Sequence, residues 1–562
     1  MKNKKYLSLF LIFALMLTAL AGCGNNDAKE PSNDGQQEET ADGIDSEQYL
    51  NIVLDAEPST LDPSKGSDMY SNYVLMNIME PLTRLEEDEN QNTELVPAGA
   101  ESWEVSEDGT VWTFIIRDHN WSDGEPVTAQ DYEYGIKRSL APETASPFAF
   151  LLTPIKNADK VNKGELPIDE LGVKAIDEKT LEVTLEYSNP YFEQLTYQRV
   201  MYPQRKDIVE QYGDTFGTEP DTLIYNGPFT VSQWAHNSEV ILTKNPKYWD
   251  ADSVKLDTVN LKIIQDKNAV YNSLSNGSVD QASVDDPEWT KRFKEDENLT
   301  LIEVVKPAVN YVFFNTQDEL FQNPNIRKAF SLAIDREDIA NVIFEGVRVP
   351  AYGWVPPTIL NGDKDYRQEI EEPLIAISEE NPDPKELLTK GLEELGMDTD
   401  LENLDVTISL GSTDQWFRTL GEYIQQMYKK SLGINVKIEQ LEWPIFDSNV
   451  NKGDFQVGYM AWTGDFNDPA TMMNLLASDS TAIKTGWENE RYDELIELAD
   501  KELDQAKRFE YYQEAEQILL DESPIAPVVY SKINLFRYKY VNNVGVTEFG
   551  TQGYKYGFTS GR

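Results

Sequence analysis

The sequence predicts a mixed α/β protein of two or three domains. An apolar strand at 406–410, an amphipathic helix at 414–432 and a second strand at 435–439 form a βαβ unit, which requires a parallel sheet. Segments in the middle of the chain are short, alternate as strands do and are separated by Pro and Gly. The chain has 562 residues, too many for one hydrophobic core.

The N-terminus has the layout of a secretory signal, predicted over residues 1–22. Lys2, Lys4 and Lys5 precede an apolar run from Tyr6 to Ala21. This run is shorter than the roughly 20 residues that a membrane-spanning helix needs. A plain signal peptide or an N-terminal anchor helix would also explain the pattern.

The end of the apolar run supports a sharper interpretation. Leu20-Ala21-Gly22-Cys23 resembles the bacterial lipoprotein signal, in which the peptidase cuts just before a cysteine that carries diacylglycerol. The resemblance implies that Cys23 is lipidated. Since Cys23 is the only cysteine, none would remain for disulfides, metal ligation or nucleophilic catalysis.

Residues 23–46 are predicted to be a flexible tether that begins at the lipidated cysteine. The stretch from Gly24 to Ser46 is polar and acidic and has almost nothing to bury. Random-coil scaling gives it a reach of roughly 25 to 30 Å. Ordinary terminal disorder is the alternative, and the two differ only in whether Cys23 carries a lipid.

The composition limits the classes of partner. Hydrophobic residues make up 40% and aromatic residues 11% of the chain, so it is globular. Without the three signal lysines, 46 basic side chains face 99 acidic ones, a net charge of −53. This charge argues against nucleic acid and against electrostatic docking on anionic lipid, and it suits a monomer.

Local patterns predict further elements. Thr128 and Asp131 form a capping box that opens a helix with Ala129, Tyr132 and Ile136 on its apolar face. The other predicted strands are 50–54, 111–116, 180–185, 240–243 and 528–530, and the other predicted helices are 72–78, 326–334, 335–344, 492–503 and 506–520.

Catalytic and metal-binding motifs are missing from the sequence. The two histidines, His119 and His236, stand apart from each other and from cysteine, so no zinc motif is possible. The sequence contains no GxSxG, SxxK or P-loop pattern. We therefore expect no enzyme activity, cofactor or metal, although a carboxylate glycosidase stays open because paired acids leave no sequence pattern.

A series of blocks resembles the extracellular solute-binding proteins, family 5, which serve oligopeptide and dipeptide ABC importers. The resemblance covers roughly residues 48 to 540, and the strand that runs into Trp-Ser-Asp-Gly is its most diagnostic part. The blocks are Glu57–Pro63, Trp112–Arg117, Trp121–Tyr132, Thr144–Pro147, Asn226–Phe229, Asn245–Trp249, Ile326–Phe330, Ala333–Arg336, Trp354–Pro357 and Trp462–Pro469.

The resemblance implies a periplasmic-binding-protein-like α/β fold of the three-domain oligopeptide-binding type, with two lobes that close about a hinge. The hinge would lie near Pro307-Ala308 and near Pro527. The implied division is lobe I at 47–79, 207–307 and 528–562, an inserted domain at 80–206, and lobe II at 308–527.

The implied function is the capture of extracellular oligopeptides for the permease and ATPase subunits of an ABC importer. The protein would be lipid-anchored to the outer face of a Gram-positive cell membrane. Within the fold, the alternatives are a peptide pheromone, a glycan or a metal chelate as cargo. An alternative of a different class is a secreted carboxylate hydrolase, and a third is a surface adhesin or chaperone that uses the same cleft.

The implied site recognises what all peptides share. The peptide backbone would pair with the stretch after Pro63 and with the strand that ends at Gly464. Asp465 matches the family's aspartate for the peptide amino terminus, although a plain loop aspartate is the alternative. Phe148 would be an aromatic wall where the family often has Tyr.

Further aromatic positions follow from the same resemblance. Trp443 and Trp462 match ligand-side positions, with a core role as the alternative. Trp416 and Tyr459 align with an arginine and a histidine that meet the peptide carboxyl terminus in some Gram-negative members. Neither can carry a positive charge, which favours longer peptides, unless the alignment is shifted toward Arg418.

Overall fold

The computed structural model describes residues 43–87, 93–480, 482–547, 549 and 552–562. The predicted signal peptide, Cys23 and nearly all of the predicted tether lie outside these residues. The described residues belong to one compact unit, 39–562. None of their helices is long and apolar enough to cross a bilayer.

Strands and helices alternate along the described chain. The strands are Tyr49–Leu54, Thr83–Glu87, Thr93–Pro97, Ala100–Val105, Val111–Ile116, Val173–Ala175, Thr180–Thr184, Phe229–Ala235, Glu239–Lys244, Thr258–Ile263, Gln281–Ser283, Leu299–Phe314, Val349–Pro350, Leu360–Asn361, Lys364–Asp365, Val406–Leu410, Val436–Gln440, Val457–Thr463, Ile525–Tyr538, Val541–Asn542, Gly545–Val546, Gln552–Gly553 and Phe558–Thr559. The helices are Met69–Ile78, Ala129–Leu140, Ala158–Asn162, Lys206–Tyr212, Lys267–Ser275, Pro287–Lys294, Pro324–Leu332, Arg336–Asp338, Pro373–Glu380, Pro384–Glu394, Gln415–Ser431, Trp443–Lys452, Ala470–Met473, Glu490–Lys501 and Gln505–Glu522.

The predicted local elements are confirmed. The capping box forms, since the Thr128 backbone N–H donates to Asp131 Oδ2 at 2.9 Å. The predicted helix at 335–344 is present, with Asp335 as its N-cap and Phe344 as its C-cap. It is α-helical over Arg336–Asp338 and continues as a π-helical turn over Ile339–Ile343.

One large mixed sheet forms the centre of the protein. The predicted βαβ unit is confirmed, because Val406–Leu410 pairs in parallel with Val436–Gln440 around the helix Gln415–Ser431. The strand order is Val436–Gln440, Val406–Leu410, Val457–Thr463, Leu299–Phe314, Ile525–Tyr538, Gln281–Ser283, Tyr49–Leu54, Thr258–Ile263, Glu239–Lys244 and Phe229–Ala235.

Two long strands, Leu299–Phe314 and Ile525–Tyr538, connect the two halves of this sheet. They pair antiparallel with each other, and their register shifts between Val305 and Val309. The part of the ladder before the shift belongs to the half of the sheet that contains Gln281–Ser283. The part after the shift belongs to the half that contains Val457–Thr463. Pro307 stands in the shift, where its missing N–H removes a ladder hydrogen bond.

Each half of the sheet has its own packing partners. Helices Pro324–Leu332, Pro384–Glu394 and Gln415–Ser431 bury an apolar core against the Val457–Thr463 half. A separate four-stranded sheet falls within the predicted inserted domain. Its strands are, in order, Ala100–Val105, Val111–Ile116, Thr180–Thr184 and Val173–Ala175. The domain boundaries themselves stay predictions.

A buried carboxylate ties one end of the long helix Gln505–Glu522 to the chain in front of it. Glu516 is inaccessible to solvent and accepts hydrogen bonds from the backbone N–H groups of Trp354 and Val355 at 2.7 and 3.0 Å. Arg367 Nη2 also donates to it, at 2.5 Å. Removing the carboxylate would take this acceptor from the Trp354 and Val355 N–H groups and from the Tyr366 hydroxyl, whereas Arg367 Nη2 would keep the Val355 carbonyl.

We expect Glu516→Ala to lower the free energy of unfolding by about 3 to 5 kcal/mol, because it breaks a buried ion pair with Arg367 and removes the acceptor of two buried backbone N–H groups. Urea denaturation followed by tryptophan fluorescence measures the change. Glu514→Ala on the same helix is the matched control, since Glu514 pairs with Arg491 at an exposed position. Equal losses in the two variants would contradict the assignment.

Candidate functional site

The strand Val457–Thr463 has an edge that is only partly paired. One side pairs along its whole length with Ala308–Phe314. On the other side, Val406–Leu410 reaches only as far as Tyr459. Residues 460–463, the open edge, therefore have no strand partner on that side in the described part of the chain. Such an edge can accept an extended peptide as an added strand.

The loop that follows the open edge, residues 464–469, is held firmly and is called the Asp465 loop. The Gly464 N–H donates to the Pro307 carbonyl at 2.7 Å, and the Asp465 N–H donates to Thr471 Oγ1 at 2.7 Å. A Cβ at position 464 would lie 2.8 Å from Thr471 Cγ2, so the close approach requires glycine. These contacts fix the direction of the Asp465 side chain.

A buried ion pair anchors the far end of the Asp465 loop. Arg508 is fully buried and meets both oxygens of Asp468 at 2.8 Å in a two-pronged geometry. Asp468 Oδ1 also accepts from the Ala470 N–H at 3.0 Å. The loop is thereby attached to the helix Gln505–Glu522.

The Asp465 carboxylate is poised to change its charge near neutral pH. It is partly exposed, and no described residue donates a hydrogen bond to it. Burial raises the pKa of Asp465 to about 7, and Arg199 opposes this rise. A cation that entered beside Asp465 would favour the ionised form.

Three consecutive residues that the sequence analysis missed surround Asp465. Gln198 Nε2 and the Tyr197 hydroxyl donate to the Asp465 carbonyl at 2.6 and 3.4 Å. Arg199 is buried over the Phe148 ring at 4.7 Å, and burial lowers its pKa. They belong to short turns without a motif, so no sequence signal pointed to them.

The stretch after Pro63 forms turns and does not provide the strand edge expected for it. The Gly66 N–H donates to the Asp62 carbonyl at 3.0 Å. Arg199 Nη2 donates to the Asp68 carbonyl at 3.3 Å, and a Cβ on Gly66 would lie 2.8 Å from Arg199 Nη1. Arg199 thus links these turns to Asp465 and Phe148.

The two predicted tryptophans differ in their surroundings. Trp443 is 52% exposed and covers Gly411. Gly411 directly follows Val406–Leu410, the strand whose pairing stops before the open edge. Trp462 lies opposite Val309 in the ladder, and its indole Nε1 is buried without a partner among the described residues. Trp443 therefore stands at the start of the open edge, whereas Trp462 packs largely into the core.

Trp416 and Tyr459 lie away from the Asp465 loop. Trp416 is 39% exposed and lines a cavity of about 800 Å³, together with Asn310 of one long strand. Tyr459 is buried in the ladder opposite Val312, and burial raises its pKa. The structure thus groups Asp465, Gly464 and Phe148 at one place and Trp416 at another. The ligand roles of the seven residues named in the sequence analysis stay predictions: Phe148, Trp416, Trp443, Tyr459, Trp462, Gly464 and Asp465.

Comparison with known families decides what kind of protein this is. The model of the bacterial extracellular solute-binding proteins, family 5 (middle), matches residues 94–483. The chain belongs to this family. The family consists of solute-binding proteins, and the resemblance inferred from the sequence blocks is confirmed.

Individual relatives are similar along nearly the whole chain. The oligopeptide-binding protein OppA of Bacillus subtilis is 33% identical over 537 residues, with 94% of each chain covered. The dipeptide-binding protein DppE of the same organism is 35% identical over 534 residues, again with 94% of each covered. Both are named for the peptides they bind.

A solved structure gives the same result for the fold. Listeria monocytogenes OppA bound to peptide superposes with a TM-score of 0.74 at 29% identity, covering 92% of this chain and 99% of that one. The predicted fold class, periplasmic-binding-protein-like α/β, is confirmed.

The raised pKa of Asp465 makes a prediction about stability in the absence of peptide. An aspartate with the ordinary value of 3.8 is ionised in the unfolded chain above that pH, whereas the folded protein keeps the proton up to about pH 7. The folded state therefore binds more protons in this window, and this group's contribution to the free energy of unfolding falls as pH rises through it.

Asp465→Asn removes this dependence. Relative to the wild type, the variant should gain stability between pH 5 and pH 8, because only the wild type must ionise a buried carboxyl. Urea unfolding at both pH values measures the difference. A difference that does not change with pH would contradict the raised pKa.

Proposed function

We propose that this solute-binding protein captures extracellular oligopeptides and delivers them to an ABC importer. The observation that carries the proposal is the open edge at 460–463, which runs directly into a carboxylate with no donor of its own in the described structure. The names of the relatives, oligopeptide- and dipeptide-binding proteins, support peptide as the cargo.

The open edge suits recognition of any peptide sequence. A bound peptide would exchange backbone hydrogen bonds with residues 460–463 and leave its side chains pointing to either side. Ala461 and Thr463 are exposed and small, so they leave room for side chains of different size. Trp443 would cover one side of the peptide at the start of this edge.

Asp465 would receive the peptide amino terminus. Moving an ammonium group out of water costs several kcal/mol unless a partner compensates it. Asp465 supplies the charge, and the ammonium group in turn lowers the pKa of Asp465 and keeps it ionised. The charge of Arg199 also favours the ionised state of Asp465.

Closure over the peptide would occur about the two long strands. Their register shift lies at Pro307, and the Pro307 carbonyl accepts the Gly464 N–H that begins the Asp465 loop. Rotation about this point would move the Asp465 loop with its half of the sheet. Hinge closure of this kind is the common way in which two-lobed binding proteins enclose a ligand.

Asp465→Asn should weaken the binding of peptides with free amino termini by roughly tenfold to a hundredfold, the effect of losing one charge-assisted hydrogen bond. N-acetylated peptides should bind the wild type poorly, because they carry no ammonium group. Isothermal titration calorimetry with matched free and acetylated peptides measures both effects.

Asp454→Asn is the matched control, since Asp454 is an exposed aspartate in the same part of the chain. It should leave both affinities unchanged. If the wild type binds free and acetylated peptides equally well, Asp465 has no role at the amino terminus.

The lipid anchor completes the proposed function. Delivery requires the protein to stay near a membrane-embedded permease, and a mature chain of charge −53 is repelled by anionic lipid. A diacylglycerol on Cys23 and the tether at 23–46 would hold it there while the peptide site faces outward. The protein would act as a monomer at the outer face of the membrane.

Cys23→Ser should release the protein from the cell membrane into the medium, because it removes the thiol that receives the lipid. Fractionation of cells that express the full-length chain, followed by immunoblotting, measures the distribution. The wild type should pellet with membranes and move to the detergent phase in Triton X-114. A serine variant that still behaves in this way would show that Cys23 is not the anchor.

A further inference from the structure

The cavity of about 800 Å³ at the long strands contains an arginine that the proposed function has not used. We call it the Arg348 cavity. Both halves of the main sheet contribute to its wall, which includes Ser283, Asn310, Phe344, Arg348, Trp416 and Lys532. It therefore lies in the space between the halves, beside the strands about which closure would occur.

Arg348 differs from the lysines around it in having no anionic partner. Lys267 lies 3.8 Å from Asp285, and Lys532 lies 2.6 Å from Glu303. Arg348 makes neither a hydrogen bond nor an ion pair with any described residue, and its guanidinium lies 5.6 Å from the centre of the Phe344 ring. Burial lowers its pKa, which shows that the charge is partly withdrawn from water.

Acidic groups also face the cavity. Its lining includes Asp55, Asp285, Asp286 and Glu345. The charge of Asp285 raises the pKa of Arg348, but the opposite effect of burial is larger. None of these carboxylates lies within 4 Å of the guanidinium. The five N–H donors of Arg348 thus remain available to a ligand.

The backbone holds Arg348 in position. The next two residues, Val349 and Pro350, form a strand that pairs with Tyr530 and Val529 of one long strand. Tyr459 is close enough to Arg348 for each group to influence the pKa of the other, and it lies in the strand that continues into the open edge. Arg348 therefore lies near the strand Val457–Thr463, which precedes the Asp465 loop.

We propose that Arg348 receives a carboxylate of the bound peptide, either its carboxyl terminus or an acidic side chain. This inference rests on the proposed peptide-binding function. A guanidinium fits a carboxylate through two parallel hydrogen bonds, which a lysine cannot form. Trp416 and Tyr459 carry no positive charge, and Arg348 supplies one from a different element.

The ladder register shows which peptide length reaches the cavity wall at Asn310. Asn310 lies opposite Ala461 in the ladder, four residues before Asp465. Extended chain covers roughly 3.4 Å per residue, so about four peptide residues span the distance from Asp465 to the level of Asn310. The test therefore compares dipeptides with peptides of four or more residues.

The test uses calorimetry with neutral peptides that have free amino termini and are built from Ala, Val, Ser and Tyr. Dipeptides, tetrapeptides, pentapeptides and nonapeptides are each prepared as the free acid and as the carboxyl-terminal amide. A second set of amides carries one Asp at position four or later. The proteins are the wild type, Arg348→Gln, Arg348→Lys and the control Arg292→Gln, an exposed arginine that does not line the cavity.

We expect the wild type and Arg292→Gln to bind a carboxylate-bearing peptide about tenfold to a hundredfold more tightly than its neutral amide, for at least one length of four residues or more. Arg348→Gln should abolish this preference but leave the affinity for amides unchanged. Arg348→Lys should recover part of it. A preference for free acids identifies the carboxyl terminus, and one for Asp-containing amides identifies a side chain.

Two further outcomes separate the possible failures. If the wild type binds acids and amides of every length equally, or if the preference survives in Arg348→Gln, the role of Arg348 is overturned while peptide binding stands. If no peptide binds the wild type, the proposed function itself fails. Thermal unfolding of each variant checks its folding, and if Arg348→Gln does not fold, Arg348→Lys decides the question.

Discussion

The antiparallel pairing of the two long strands supports both halves of the main sheet. Every strand of the sheet connects, directly or through its neighbours, to Leu299–Phe314 or Ile525–Tyr538. The register shift between Val305 and Val309 separates the two halves within one continuous pairing. The two strands form one ladder that is interrupted at the register shift. Such a ladder can hold the two halves of the sheet in position and still permit rotation at the shift. The arrangement of the site depends on both properties.

The Asp465 loop takes its shape from contacts on both sides. The hydrogen bond from Gly464 to Pro307 attaches it to the register shift, and the Arg508–Asp468 pair attaches it to the long helix Gln505–Glu522. A buried pair of this kind costs desolvation energy and specifies position more than it adds stability. The carboxylate of Asp465 is consequently presented from a rigid frame, without a hydrogen-bond donor among the described residues.

Charge is distributed along the site in a way that matches a peptide. Asp465 lies at the end of the open edge, and Arg348 lies in the cavity beside the long strands. A peptide carries the opposite charges at its two ends and a neutral backbone between them. Recognition based on these features tolerates any side-chain sequence, because the contacts involve groups that all peptides share.

Much of the fold and part of the site follow from local sequence. The capping box at Thr128 and Asp131, the βαβ unit at 406–440 and the Trp462–Pro469 block were all predicted, because their signals depend on residues near one another in the chain. The helix at 335–344 was predicted too, but its π-helical part was not. The periodicity indicates an apolar face, but it does not distinguish an α-helix from a π-helical turn that shifts the register by one residue.

Tertiary structure alone decided which distant residues meet. Arg199 faces Asp465, and Arg348 reaches the same cavity as Trp416, although no sequence pattern links these residues. The sequence by itself determined the family and most of the secondary structure, and it singled out Asp465 as a candidate ligand residue. Whether a charged side chain has a partner depends on what the folded chain places around it, and spacing along the sequence does not contain that information.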